Sequence, residues 1–233
     1  MALRGLDKTD PIEAVLFDFH STLIDQGDPR QWLRLAWAQT GRPGDPAARL
    51  GSRRFEQLAH WIDHIWEHVV EVDPNQDRDR SPVRHREVFD VLMARIPEMD
   101  PELSLAMYEV LLDPWFPYQD SVPTLRELKR RGIKLALVSN VGIDIRQVID
   151  RSGMGEYFDA LVLSYEAGSV KPESSIFQQA LDALGAAPEH ALMVGDNPHD
   201  DAGAALLGIR TLILPRTRGR DHGLDLVLKI VRD

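Results

Sequence analysis

Cysteine is absent from the 233 residues, and lysine is scarce, with five lysines beside 22 arginines. Without a thiol there is no disulfide, no thiolate nucleophile and no cysteine-ligated zinc. Positive charge is in deficit overall, 27 Lys+Arg against 37 Asp+Glu, for a formal charge of −10. Nucleic acids and anionic membrane surfaces are bound through basic faces, so neither is an expected partner. Long apolar runs are missing too, since no stretch approaches the roughly 20 apolar residues of a membrane span. Met1 to Pro11 carries charges and no apolar run, so no signal peptide is expected. A soluble cytoplasmic protein is the expectation.

Hydrophobic residues make up 43% of the chain, ordinary for one large domain or two modest ones. Five short runs rich in Val, Ile and Leu stand out: Ala14–Phe17, Leu135–Val138, Leu161–Leu163, Ala191–Val194 and Thr211–Leu214. Their hydrophobicity is continuous rather than alternating, as in strands covered on both faces of a parallel sheet. Helix-length segments separate the last four runs, at Ile143–Arg151, Ser174–Leu184 and Asp200–Leu207, with Gly153, Gly185 and Gly208 near their ends. This βαβ rhythm predicts an α/β fold with a doubly wound parallel sheet.

From about Gln26 to Tyr118 the rhythm stops. Apolar residues fall at helical spacing instead: Trp32, Leu33, Ala36 and Trp37; then Phe55 to Val69 in one longer helix; then Val88, Leu92 and Ile96; then Leu103, Met107, Val110 and Leu111. Breakers separate them at Gly41–Gly44, Asp73–Asn75 and Pro97–Pro101. An all-helical subdomain inserted after the first strand is expected.

Ligands of open parallel sheets bind beyond the carboxyl ends of the strands. The residues standing there are Asp18, Ser139 and Asn140, Ser164, and Gly195 and Asp196. One strand-end Asp is often only a helix cap; several polar ends on one sheet edge are a candidate site. Asp18 and Asp196, with Asp200 and Asp201 close behind, would crowd like charges unless a cation sits among them. Hard carboxylate oxygens without a His or Cys cage suit Mg²⁺.

The segments Phe17-Asp-Phe-His-Ser-Thr-Leu23, Val138-Ser-Asn140, Val170-Lys-Pro172 and Val194-Gly-Asp-Asn-Pro-His-Asp-Asp201 resemble, in order and spacing, the four motifs of the haloacid dehalogenase superfamily. The helical insert is similar to that family's cap, placed between the first and second motifs. The resemblance implies a Rossmann-like core from residues 1–25 and 119–233, a cap at 26–118, and hinges near Leu23–Gly27 and Pro117–Asp120. It implies that Asp18 is a nucleophile forming an aspartyl-phosphate. It makes Asp196 and the backbone carbonyl of His20 Mg²⁺ ligands beside Asp18, with either Asp200 or Asp201 as a further acidic partner. It gives Lys171 the neutralisation of Asp18 and the phosphoryl group, and Thr22 and Ser139 hydrogen bonds to phosphoryl oxygens. Thr22 has a second reading as a cap of the turn after the first strand. Asn140 either touches substrate or fixes a turn, and backbone N–H groups around Phe19 and Asn140 are further donors. The implied partner is a small phosphorylated molecule; no oligomeric state follows.

One position departs from the phosphatase pattern. Where the family carries a second Asp that protonates the leaving group and activates water, this chain has His20, and the usual following Gly is Ser21. Imidazole titrates near about pH 6.5 and can serve as acid and base. Three readings compete: a Mg²⁺-dependent phosphatase using His20, a halide-displacing hydrolase whose leaving group needs no proton, and a weakened member kept for binding.

Other features carry less chemistry. His60, His64 and His68 recur every four residues and are expected to form a polar stripe rather than a zinc site. Asp73–Asp79 lacks the Gly and Glu of a calcium loop and is expected to be an exposed charged loop. All five tryptophans, Trp32, Trp37, Trp61, Trp66 and Trp115, lie in the insert or at its exit, where packing is their expected role, with one or two available to face Asp18.

Overall fold

The computed structural model describes residues 11–217, 219 and 221–231; the charged start at residues 1–10 lies outside them, as does the side chain of Trp66. Five parallel strands form the central sheet in the order β5-β4-β1-β6-β7. They are β1 (Ala14–Phe17), β4 (Lys134–Ser139), β5 (Ala160–Leu163), β6 (Ala191–Gly195) and β7 (Arg210–Ile213), each within a residue of an apolar run. β1 lies at the centre, with Phe17 in register with Leu137 on one side and Val194 on the other. The two remaining strands, β2 (Ile24–Asp25) and β3 (Phe116–Pro117), pair antiparallel where the insert leaves and rejoins the core.

Alternate residues of the sheet enter two cores, as the twofold period of a strand requires. Leu16, Ala136, Val138 and Met193 pack beneath α9 (Ser174–Leu184), against Phe177 and Leu181. Val15, Phe17, Leu137 and Val194 face the other way, towards α6 (Ser121–Arg130), α7 (Arg146–Arg151) and α10 (Asp225–Ile230). This second core runs without interruption into the insert, where Leu33, Phe55, Phe89 and Met107 belong to the same apolar cluster.

The insert holds α1 (Pro29–Gln39), α2 (Pro46–Leu50), α3 (Ser52–Asp63), α4 (Pro82–Met93) and α5 (Pro101–Glu109). Four of these five begin alike. Asp28, Asp45, Ser81 and Asp100 each accept a backbone N–H of the first turn, and a proline with no N–H to orphan follows. The longer helix expected through Val69 does not form: α3 ends at Asp63, and a 3₁₀ segment runs from Ile65 to Glu71. The histidine stripe is broken with it. His60 and His64 lie ring to ring at 4.3 Å, while His68 stacks on Trp61.

The Asp73–Asp79 loop is exposed at Pro74, Asn75 and Asp77, as expected, but its two end carboxylates, Asp73 and Asp79, are buried. Asp73 accepts the Arg78 N–H at 2.9 Å, and the Arg78 guanidinium reaches Asp79 at 3.1 Å, so these two carboxylates leave solvent beside a positive charge. The turn Asp77–Arg80 docks on the core. Ser164, at the start of α8 (Ser164–Ala167), donates to the Asp79 carbonyl and accepts from Val141 N, and Arg80 pairs with Glu173. Gly142 permits this approach, because a Cβ there would stand 2.0 Å from the Arg78 carbonyl oxygen. No helix among the described residues is long and apolar enough to cross a membrane.

Candidate active site

The carboxyl ends of β1, β4 and β6 open into a cavity of about 580 Å³, walled on the far side by the insert. Asp18 follows β1 directly, its N–H donating to the Val194 carbonyl at 2.9 Å, which carries the strand pairing one residue past β1. Its carboxylate is held from two sides. Lys171 Nζ donates to Oδ1 at 2.7 Å, and the Thr22 hydroxyl donates to Oδ2 at 2.9 Å.

Lys171 also donates to Asp201 Oδ1 at 2.6 Å and is almost fully buried. Burial alone would lower its pKa, but Asp18 and Asp201 outweigh it and hold the ammonium well above the usual lysine range. Asp201 is buried against Gly195, where a Cβ would stand 2.0 Å from the carboxylate, so only glycine fits. Its other oxygen accepts the Asn197 N–H at 2.9 Å.

Asp18, Asp196 and Asp201 each bring a carboxylate oxygen to within 4.8 Å of the others. Three buried hard-oxygen donors at this spacing fit a small divalent cation such as Mg²⁺. Between the two acidic alternatives, it is Asp201 that joins this group. Asp200 is turned aside, accepting from Asn197 Nδ2 at 2.7 Å and facing His199, although it still lines the cavity.

His20 lines the cavity next to Asp18. Its ring lies 5.0 Å from that of Trp115, and the Ser21 hydroxyl is 3.3 Å from its Nδ1. Burial lowers its pKa against the opposing pull of Asp18 and Asp196. Ser21 takes the left-handed backbone that suits glycine, with φ of 64°.

Two further polar side chains are engaged within the site. Thr22 is fully buried, and its hydroxyl donates to Asp18. Asn140 lines the cavity but fixes a turn: its amide bonds the backbone N–H and carbonyl of Lys171. Ser139 ends β4 and lines the same cavity. Of the tryptophans, Trp115 faces the site, whereas Trp32 donates to the Met107 carbonyl within the insert.

Sequence reasoning passed over Arg216, whose Nε donates to Asp196 Oδ2. Its signal lies in the sequence, because it stands two residues beyond the fifth apolar run, at a strand's carboxyl end. Trp115 carried no such signal, since its approach to His20 depends on how the insert returns.

Known proteins share the family and the fold. Residues 12–208 match the model of the haloacid dehalogenase-like hydrolases. A phosphoserine phosphatase of Thermus thermophilus is 31% identical over 186 residues, covering 79% of this chain and 64% of that protein, so the match spans just under two thirds of the relative's length. A glyceraldehyde 3-phosphate phosphatase of Methanopyrus kandleri is 35% identical over 222 residues, 90% of this chain and 87% of the relative. Among solved structures, a dehalogenase described with its intermediate complex superposes with a TM-score of 0.70 at 18% identity, covering 96% of this chain and 99% of its own, a likeness of fold. With motifs, sheet order and family model in accord across most of its length, the chain belongs to the haloacid dehalogenase-like hydrolases.

Proposed function

We propose that the chain is a Mg²⁺-dependent phosphatase of a small phosphomonoester, working through an aspartyl-phosphate on Asp18. The observation that carries this reading is the group of Asp18, Asp196 and Asp201 with Lys171 bridging the first and last. A nucleophilic carboxylate has little use for two more buried carboxylates unless a cation and an anionic substrate share the site.

In the first step an Asp18 oxygen attacks phosphorus and the bond to the leaving oxygen breaks. That oxygen takes a proton from His20. In the second step water attacks the phosphorus of the acyl phosphate and gives a proton to the imidazole. The bond from Asp18 to phosphorus then breaks, releasing inorganic phosphate and the carboxylate. Burial of His20 favours its neutral form, which suits the second step; the charges of Asp18 and Asp196 help it carry the proton needed in the first. Lys171 neutralises Asp18 throughout, and Asn140 and Thr22 hold Lys171 and Asp18 in place. Ser139 is a donor to the phosphoryl oxygens. Mg²⁺, held by Asp18, Asp196, the His20 carbonyl and Asp201, would supply charge neutralisation for an attack of anion on anion. Residues 26–118 act as the cap over 1–25 and 119–233, hinged at the β2–β3 pair.

The test is phosphate release from a panel of small phosphomonoesters by the purified protein, with and without Mg²⁺ and beside Asp18→Asn as a blank. Turnover that needs both Mg²⁺ and Asp18 is expected. His20 favours a second reading, displacement of halide, whose leaving group takes no proton. Halide release from 2-haloacids that persists in EDTA would replace the phosphatase reading with that one. Mg²⁺ binding without turnover across the panel would leave a weakened binding protein instead.

A further inference from the structure

Arg216 lies outside the motifs that place the other site residues. It follows β7 through Leu214, whose N–H donates to the Gly195 carbonyl at 2.8 Å. The next residue, Thr217, is fixed: its carbonyl accepts the Tyr118 hydroxyl at 2.9 Å, and its own hydroxyl lies 2.9 Å from His222 Nδ1. The backbone is therefore anchored while the arginine side chain, 67% exposed, reaches over the cavity. Its Nε donates to Oδ2 of Asp196, a side chain only 4% exposed.

The positive charges are divided between the three carboxylates. Lys171 serves Asp18 and Asp201, and Arg216 serves Asp196. A divalent cation coordinated by Asp196 would lie at about 2.1 Å from its oxygen. Arg216 could not keep its present bond without bringing two cations into close approach in a partly desolvated site. The guanidinium is on a long, mobile stem and its planar fork matches phosphoryl oxygens well.

We propose that Arg216 is an internal placeholder for the divalent cation on Asp196 and, once displaced, a clamp on the phosphoryl oxygens of the substrate. This rests on the Mg²⁺-dependent phosphatase reading. As a placeholder it keeps Asp196 ion-paired before the metal arrives, and it weakens metal affinity by the competition. As a clamp it makes metal and phosphoryl anion bind better together than apart. An arginine that merely oriented Asp196 for the metal would have the opposite effect on metal affinity, since losing such an outer partner weakens binding.

The test is calorimetric and does not use turnover. Full-length protein stripped with EDTA and dialysed is titrated with Mg²⁺ as wild type, Arg216→Gln and Arg216→Lys. Arg216→Gln is expected to bind Mg²⁺ about five- to tenfold tighter at low salt, with the gap closing as salt rises. Each Mg²⁺-saturated protein is then titrated with inorganic phosphate, which Arg216→Gln should bind about tenfold more weakly. Arg216→Lys, keeping the charge without the fork, should fall between the two on both measures. Equal or weaker Mg²⁺ binding by Arg216→Gln overturns the placeholder, and unchanged phosphate binding overturns the clamp. A wild-type chain that binds no Mg²⁺ overturns the metal reading itself, an outcome visible before any variant is made.

Discussion

The side chain of Asn140 grips the backbone of Lys171 at both ends, its Oδ1 accepting the Lys171 N–H at 2.7 Å and its Nδ2 donating to the Lys171 carbonyl at 2.9 Å. Asn140 stands one residue beyond β4, whereas Lys171 lies in a loop beyond β5, so a single amide sets the position of the ammonium between Asp18 and Asp201. Asn140→Ala removes both bonds and leaves the charge of Lys171 intact. Turnover should fall about 10- to 100-fold, with KM changing less, because displacement of a catalytic group by about 1 Å is enough for such a loss. Steady-state kinetics on wild type and variant decide it. Full activity in Asn140→Ala would show that the loop holds Lys171 without help.

Much of this site was legible in the sequence because strand ends and motifs carry it. Asp18, Asp196 and Lys171 each stand beside a recognisable apolar run or turn, and all three line one cavity. What escaped was set by tertiary contact. Asp73 and Asp79 read as solvated charges because nothing local announces that Arg78 will neutralise both in the interior. β2 and β3 have two residues each, too few for any periodicity to register. The choice between Asp200 and Asp201 turned on which carboxylate fits against the bare Cα of Gly195, a contact that spacing alone leaves open.

His20 gives a prediction that depends on the leaving group. A protonating residue matters most when the departing oxygen is a strong base and least when it is a stable anion. His20→Ala should therefore lower turnover about 100-fold or more on an alkyl phosphate, and far less on p-nitrophenyl phosphate. His20→Asp, which restores the family's usual residue, should retain activity on both. An equal loss on the two substrates in His20→Ala would confine His20 to the second step, the attack of water, which both share; no loss on either would mean that the ring, packed against Trp115 at 5.0 Å, serves only to shape the cavity.

Gly142 controls the seating of the insert. A Cβ at this position would meet the Arg78 carbonyl at 2.0 Å and the His85 Cβ at 2.7 Å, and neither can swing away as the tip of a flexible side chain could. Gly142→Ala should push the Asp77–Arg80 turn off the core and cost about 1–3 kcal/mol. Limited proteolysis supplies a second readout, since Arg78 and Arg80 should become substrates for trypsin while the sheet stays protected. Wild-type resistance and stability in Gly142→Ala would show that this contact relaxes elsewhere.

His85 makes stability depend on pH in a known direction. It is buried in α4 with its Nδ1 3.0 Å from the Tyr108 hydroxyl, and burial, helped by the charge of Arg78, lowers its pKa to about 4. The unfolded chain binds a proton on this imidazole near about pH 6.5, so below that value unfolding is favoured by proton uptake. The stabilising contribution is complete above about pH 6.5 and is lost as the pH falls towards about 4, amounting to about 2–3 kcal/mol at about pH 4.5. Asp79 works against it: burial raises its pKa to about 6, so its ionisation penalises the folded state as the pH rises. The two slopes overlap, and the total stability curve does not isolate either. His85→Asn separates them, because every other titrating group is common to variant and wild type. Urea unfolding at pH 7.5 should find the variant less stable by the lost packing. At pH 4.5 that deficit should shrink by about 2–3 kcal/mol, to the point of vanishing or reversing. A deficit that is the same at both values would place the protonated imidazole comfortably inside the fold and remove His85 as a source of acid sensitivity.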